Sequence, residues 1–216
     1  MVAKNREKGN QLSFETIQEL ENTLRTTLKD LRRYKGGNVI FSINPAYVLD
    51  IELAALKYFL SKEDLDGVVL TLSRPHYFIH RALKREIDIH PMLIYVDPVS
   101  SISGSLMGTP TIKNKVITLD GPFDIDRVTA AVEKAINHSA KSFEGDEHFI
   151  YVDNLLALAP YMDTKDILKL AKKIMKGYSG SFVYKFVGLG KLDNDLYRKV
   201  FNKIKGHSDI ILMMSD

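Results

Sequence analysis

Two rhythms of apolar positions alternate along this chain. Near the start, Phe14, Ile17, Leu20, Leu24, Leu28, Leu31 and Tyr34 recur at steps of three or four, which predicts one long amphipathic helix. Ser13 stands where a cap is needed, Leu12 is placed to pack on Ile17 as a hydrophobic staple, and Gly36-Gly37 supplies a stop. Arg25, Lys29 and Arg32 lie opposite the apolar stripe. The pattern predicts a helix resting on the domain's own sheet with a solvated basic face; pairing with another helix is the alternative.

Beyond this helix the rhythm changes. Short apolar runs at 38–42, 68–72, 92–96, 116–119, 149–152, 181–187 and 210–214 predict buried strands. Helical patterns at 45–60, 75–86, 124–139, 164–176 and 193–205 separate them. Continuous apolar strands alternating with helices predict an α/β fold with a mostly parallel sheet and helices on both faces, preceded by the amphipathic helix. The expected division is 1–36 for the charged start and helix, and 37–216 for a single domain. Residues 97–115 are rich in Ser, Gly and Pro without periodicity, which predicts a long mobile loop, with a binding lid as the alternative.

Composition narrows the function classes. A chain of 216 residues, 45% of them hydrophobic, suits one α/β domain. Thirty lysines and arginines against 27 acidic residues give a net charge of +3, too small to imply a nucleic-acid partner; the basic stretch 25–35 is the local exception. Without cysteine there is no disulfide, thiolate nucleophile or cysteine-held metal. A charged start and only short apolar runs predict no membrane span and a cytoplasmic protein.

Four segments carry a resemblance. Gly-Val-Val-Leu-Thr-Leu-Ser-Arg-Pro-His-Tyr at 67–77 and Leu-Ile-Tyr-Val-Asp-Pro-Val-Ser at 93–100 each read as a core strand with its following turn. Phe-Ile-Tyr-Val-Asp-Asn-Leu-Leu-Ala-Leu at 149–158 looks like a Walker B strand, and His-Ser-Asp-Ile-Ile-Leu at 207–212 like a later strand. In order and spacing, 37–216 resembles the RecA-like, KaiC-type ATPase superfamily, especially archaeal members with decayed ATPase motifs. The resemblance implies a three-layer RecA-like sheet and membership of a group whose relatives form rings or bind other proteins.

The family's ATP site is then compared residue by residue. A working P-loop needs glycines that turn backbone N–H groups onto phosphates, a lysine, and a hydroxyl for magnesium. The corresponding segment, 42–52, reads Ser-Ile-Asn-Pro-Ala-Tyr-Val-Leu-Asp-Ile-Glu and has neither glycine nor lysine. Where the family carries catalytic glutamates, this chain has Ser73-Arg74. Asp153 alone matches, at the position of the Walker B aspartate, and a structural role accepting backbone N–H bonds is the competing reading. No catalytic residue, cofactor or metal is expected. Asn44, Ser73, Arg74, Asp97, Asp153 and Asn154 fall at the carboxyl ends of parallel strands and form the candidate ligand-binding set.

Two weaker patterns remain. His76 and His80 at i and i+4 share a helix face as metal ligands do, with packing the more ordinary role. Gly188-Leu189-Gly190-Lys191 imitates a phosphate loop without its spacing and reads as a glycine turn. The sequence therefore predicts a non-catalytic RecA/KaiC-like domain serving as a regulatory or assembly module, with a protein partner or self-association, no membrane and no nucleic acid. The alternatives are a ligand-binding protein or enzyme reusing the strand-end pocket for a phosphorylated or acidic molecule, and a weak ATP binder.

Overall fold

The computed structural model of the protein describes residues 10–88, 93–102, 115–119, 124–142, 146–177 and 183–214. The elements begin with β1 (Asn10–Phe14), α1 (Ile17–Arg33), β2 (Gly36–Ile43), a single 3-10 turn (Pro45–Tyr47), α2 (Val48–Ser61), β3 (Asp66–Leu70) and α3 (His76–Glu86). They continue with β4 (Leu93–Asp97), a short α4 (Val99–Ile102), β5 (Val116–Thr118), α5 (Ile125–Ser142) and β6 (His148–Asn154). A 3-10 turn (Leu155–Leu158), α6 (Thr164–Gly177), β7 (Val183–Gly190), α7 (Asp195–Ile204) and β8 (Ile210–Met214) complete them. The strands form one sheet in the order β1-β8-β2-β7-β6-β3-β4-β5, and every pairing between them is parallel.

Successive strand residues point to opposite faces, and here the two faces differ in kind. One carries Phe41, Tyr95, Phe149, Tyr151, Tyr184 and Phe186 under α1, α2 and α3. Phe59 of α2 stacks on Phe186 at 4.5 Å between ring centroids and meets Phe149 at 5.1 Å. The other face is aliphatic, with Ile40, Val68, Leu70, Ile94, Val96, Ile150, Val152 and Val187 under α5, α6 and α7. Both faces being covered explains why these strands read as continuous apolar runs. Lys185 is buried within the aliphatic layer, where its Nζ donates to the Met175 carbonyl at 3.1 Å near the end of α6.

Residues 10–37 differ from expectation in several respects. Residues 10–14 are a strand, held parallel to β8 with Leu12 opposite Leu212, so Ser13 is spent on the ladder. The cap of α1 is Thr16, whose hydroxyl accepts from the Glu19 N–H, while the Glu19 carboxylate reaches back to the Thr16 N–H as a capping box. Ile17 is 50% exposed, whereas Leu20, Leu24, Leu28 and Leu31 share the core of the aromatic face with α2 and the strands. At the far end Lys35 (φ 58°) and Gly36 (φ 120°) both have positive φ, and Gly36 and Gly37 already open β2. A Cβ on Gly36 would lie 2.8 Å from the Val183 carbonyl oxygen, so glycine is needed there for close strand approach. Of the expected loop at 97–115, residues 99–102 are helical and 103–114 lie outside the described residues.

Candidate strand-end site

All strands run the same way, so their carboxyl ends share one edge of the sheet. Neighbouring strands β3 and β6 send the chain in opposite directions: β3 leads through α3 to β4, and β6 through α6 to β7. Those helices lie on opposite faces. A topological switch point of this kind is where an open α/β sheet offers its crevice to a ligand.

Asp153 closes that crevice. It is 1% exposed and its carboxylate accepts from the N–H groups of Leu72 (2.8 Å) and Ser73 (2.9 Å), the Ser73 hydroxyl (2.8 Å) and its neighbour Asn154 N–H (2.5 Å). The first three donors belong to the segment leaving β3, so one side chain ties the two diverging chains together. Arg74 Nε donates to the Ser73 hydroxyl at 3.1 Å. Three of the expected residues, Ser73, Arg74 and Asp153, are thus in one connected cluster.

Glu52 joins this cluster from the second turn of α2. It is 0% exposed, and neither carboxylate oxygen has a hydrogen-bond partner among the described residues. Burial drives its pKa well above the ordinary glutamate value; the Asp153 charge adds to the rise and Arg74 opposes it. Burial also raises Asp153, but there the donors of Ser73 and Leu72 pull it back. Of the two carboxyls, Glu52, the group without donors, is therefore the one driven further toward its protonated form. The Tyr95 hydroxyl is likewise buried and without a partner among the described residues, and burial together with the Glu52 charge raises its pKa. Sequence reasoning passed over Glu52 as a site residue. A signal was present, because Val48, Ile51, Glu52, Ala55, Leu56 and Phe59 are one buried helical stripe with a carboxylate inside it.

Asp97 organises a separate network one strand further out. Its Oδ2 meets His76 Nδ1 at 2.6 Å, the His76 N–H at 2.7 Å and the Ser100 hydroxyl at 2.5 Å, while Oδ1 accepts from the N–H groups of Val99 (2.9 Å) and Ser100 (2.8 Å). Burial works against its ionised form, but these donors outweigh burial and hold the carboxyl below its ordinary value. His76 and His80 share a helix face, with rings 5.7 and 5.8 Å from the Tyr95 ring. Among the described residues no three His, Cys, Asp or Glu side chains are arranged to hold a metal ion.

Asn154 and Asn44 serve turns. Asn154 Oδ1 accepts from the Leu156 N–H (3.2 Å) and the Gly190 N–H (3.0 Å), joining β6 to the end of β7. Asn44 lies beyond β7, at the end of β2, where Oδ1 caps the 3-10 turn through the Ala46 N–H at 3.1 Å. That single turn occupies the place of the phosphate-binding loop, and the Ile43 carbonyl just before it accepts from the Lys191 N–H at 2.6 Å. Gly188 and Gly190 are strand residues of β7 instead of a glycine turn. A Cβ on Gly188 would stand 2.0 Å from the Asp153 carbonyl oxygen, so its glycine lets β6 and β7 approach at a bulge.

The layered sheet has solved counterparts. The uncharacterized protein PH0321 from Pyrococcus horikoshii, in complex with an unknown peptide, matches with a TM-score of 0.61 and 19% identity over 86% of this chain and 82% of its own. The KaiC-like protein PH0186 from the same organism matches at 0.52 and 11% identity, over 84% and 74%. Formimidoylglutamase from Bacillus subtilis reaches the same 0.52 at 14% identity, over 89% of this chain and 65% of its own. The fold is RecA-like. It is shared with the KaiC-like protein and with a solved ATPase domain that matches at 0.50 and 10% identity, and at these identities the likeness extends to architecture alone. No family model and no curated protein matches the chain. No helix among the described residues is long and apolar enough to cross a membrane.

Proposed function

We propose that this RecA/KaiC-like domain is a non-catalytic regulatory or assembly module that docks another protein on the carboxyl-terminal edge of its sheet and does not bind ATP in the ordinary way. The observation that carries the reading is the Asp153 bridge. A Walker B aspartate must keep its carboxylate oxygens open to orient magnesium, and here both Asp153 oxygens already accept from Leu72 and Ser73. Glu52 is buried beside the bridge, and at the end of β2 stands a proline turn without glycine or lysine. Neither offers an anion the N–H groups and positive charge it needs.

The same edge is apolar on its outside. Of eight large hydrophobic residues exposed among those described, Ile17, Tyr47, Leu49, Tyr77, Phe78, Tyr161 and Leu192 all follow the carboxyl ends of strands. Six of these come from the contiguous strands β2, β7, β6 and β3, and Tyr77 and Phe78 lie ring to ring at 4.3 Å. Scattered exposed hydrophobics are ordinary, but a group this concentrated and aromatic suits a protein partner. PH0321, of the same fold, is a complex with a peptide.

Calorimetric titration with ATP and magnesium tests the reading, together with a hydrolysis assay on the same sample. No heat of binding and no turnover are expected. Magnesium-dependent hydrolysis abolished by Asp153→Ala would overturn it.

A further inference from the structure

On the opposite side of the sheet from Glu52, helices α5 and α6 leave a groove of about 890 Å³ between them. Lysines dominate its walls: Lys165, Lys169, Lys172, Lys173 and Lys176 from α6, against one acidic lining residue, Glu133 of α5. Lys165, Lys169, Lys172 and Lys176 follow steps of four, three and four, so they form one stripe along the helix. At about 1.5 Å per residue the stripe is roughly 16 Å long, three turns of a facing helix. Its floor is apolar, because Leu168 packs on the aliphatic core and lysine stems flank it.

Only two of the five charges are used internally. Lys169 and Lys173 reach Asp126 at 3.7 and 2.6 Å, while Lys165, Lys172 and Lys176 make no ion pair among the described residues. A chain of net charge +3 has therefore gathered five lysines along one groove and left three unneutralised. We propose that this groove is a docking site for an acidic amphipathic helix of a partner protein. The helix's apolar side would cover Leu168 and the lysine stems, and carboxylates at successive turns would face Lys165, Lys172 and Lys176. The apolar floor favours this occupant over a nucleic-acid strand, whose phosphates need no such surface, and the concave form favours it over a flat membrane. This site is independent of the strand-end edge.

The probe is a fluorescein-labelled 18-residue amphipathic peptide with glutamates spaced four, three and four apart beside a leucine stripe, titrated by anisotropy into the full chain. Its comparators are the same peptide with glutamine for glutamate, a 20-nucleotide thymidine strand and phosphatidylserine vesicles. Saturable binding is expected that weakens with salt and falls at least about tenfold in the Lys165→Glu/Lys172→Glu/Lys176→Glu variant, three exposed pairs being enough for that loss. Phe78→Ser should leave it unchanged. Circular dichroism and melting verify that the triple variant is folded. The assignment is overturned if the glutamate peptide does not bind, if the glutamine peptide binds equally, if the triple variant is unaffected, or if the oligonucleotide or vesicles bind more tightly through the same lysines.

Discussion

Replacing Glu52 by methionine should stabilise the protein, and by more as the pH rises. In the folded chain this carboxyl is fully buried without a hydrogen-bond donor among the described residues, and burial favours its protonated form; in the unfolded chain it ionises near its ordinary value of 4.5. The folded state thus binds the extra proton, and stability falls as pH rises from about 4.5 toward the raised folded value. Each pH unit in that window is worth about 1.4 kcal/mol. Retaining the proton costs little below about pH 4.5 and up to about 1.4 kcal/mol more for each pH unit above it until the folded value is reached, and methionine removes this pH-dependent cost while filling a similar space. Urea unfolding followed by circular dichroism at pH 5, 6 and 7 gives the comparison. Asp66, whose pKa burial lifts to about 6, titrates in both proteins and cancels in the difference. The stability gap between variant and wild type should widen steadily from pH 5 to pH 7, by up to about 1.4 kcal/mol per pH unit. Parallel stability curves would show that Glu52 carries no raised pKa and refute the protonated acid beside Asp153.

Asp153→Ala strands three backbone N–H groups and the Ser73 hydroxyl at the β3–β6 junction, and should lower the urea-derived stability by about 3 kcal/mol with an unchanged denaturant slope. Gly188→Ala drives a methyl into the Asp153 carbonyl and should cost about 2–4 kcal/mol or abolish soluble expression, whereas Gly206→Ala, with open space around its Cβ, should shift the melting temperature little. Thr16→Ala removes one half of the α1 capping box and should cost about 1 kcal/mol in the same unfolding assay.

Much of the fold was legible because burial on both faces of a parallel sheet leaves a local imprint. Seven of the strands announce themselves as apolar runs and the helices between them as three-to-four-residue repeats. β1 was not legible. Asn10, Gln11 and Ser13 carry no strand pattern, and the segment is a strand because β8 offers it an edge. The capping position moved with it, from Ser13 to Thr16, since a residue cannot both continue a ladder and end the approach to a helix. The glycines at 188 and 190 resembled a turn because the sequence does not show that β6 passes within 2.0 Å of where a Cβ would be.

The candidate site divides along the same line. The absence of glycine and lysine from 42–52, and the aspartate at the end of its strand, are facts of residue type at fixed positions, and the chain alone determined them. Which groups meet was decided only in three dimensions. The strand order places β6 beside β3, so that Asp153 takes up the N–H groups after β3; α2 then lays Glu52 into the same dry interior, while Asp97 turns away to His76 and Ser100. The physical reason is that periodicity and propensity act over a few neighbouring residues, whereas a carboxyl's protonation and a crevice's occupancy depend on donors, charges and dielectric contributed by segments far apart in the chain.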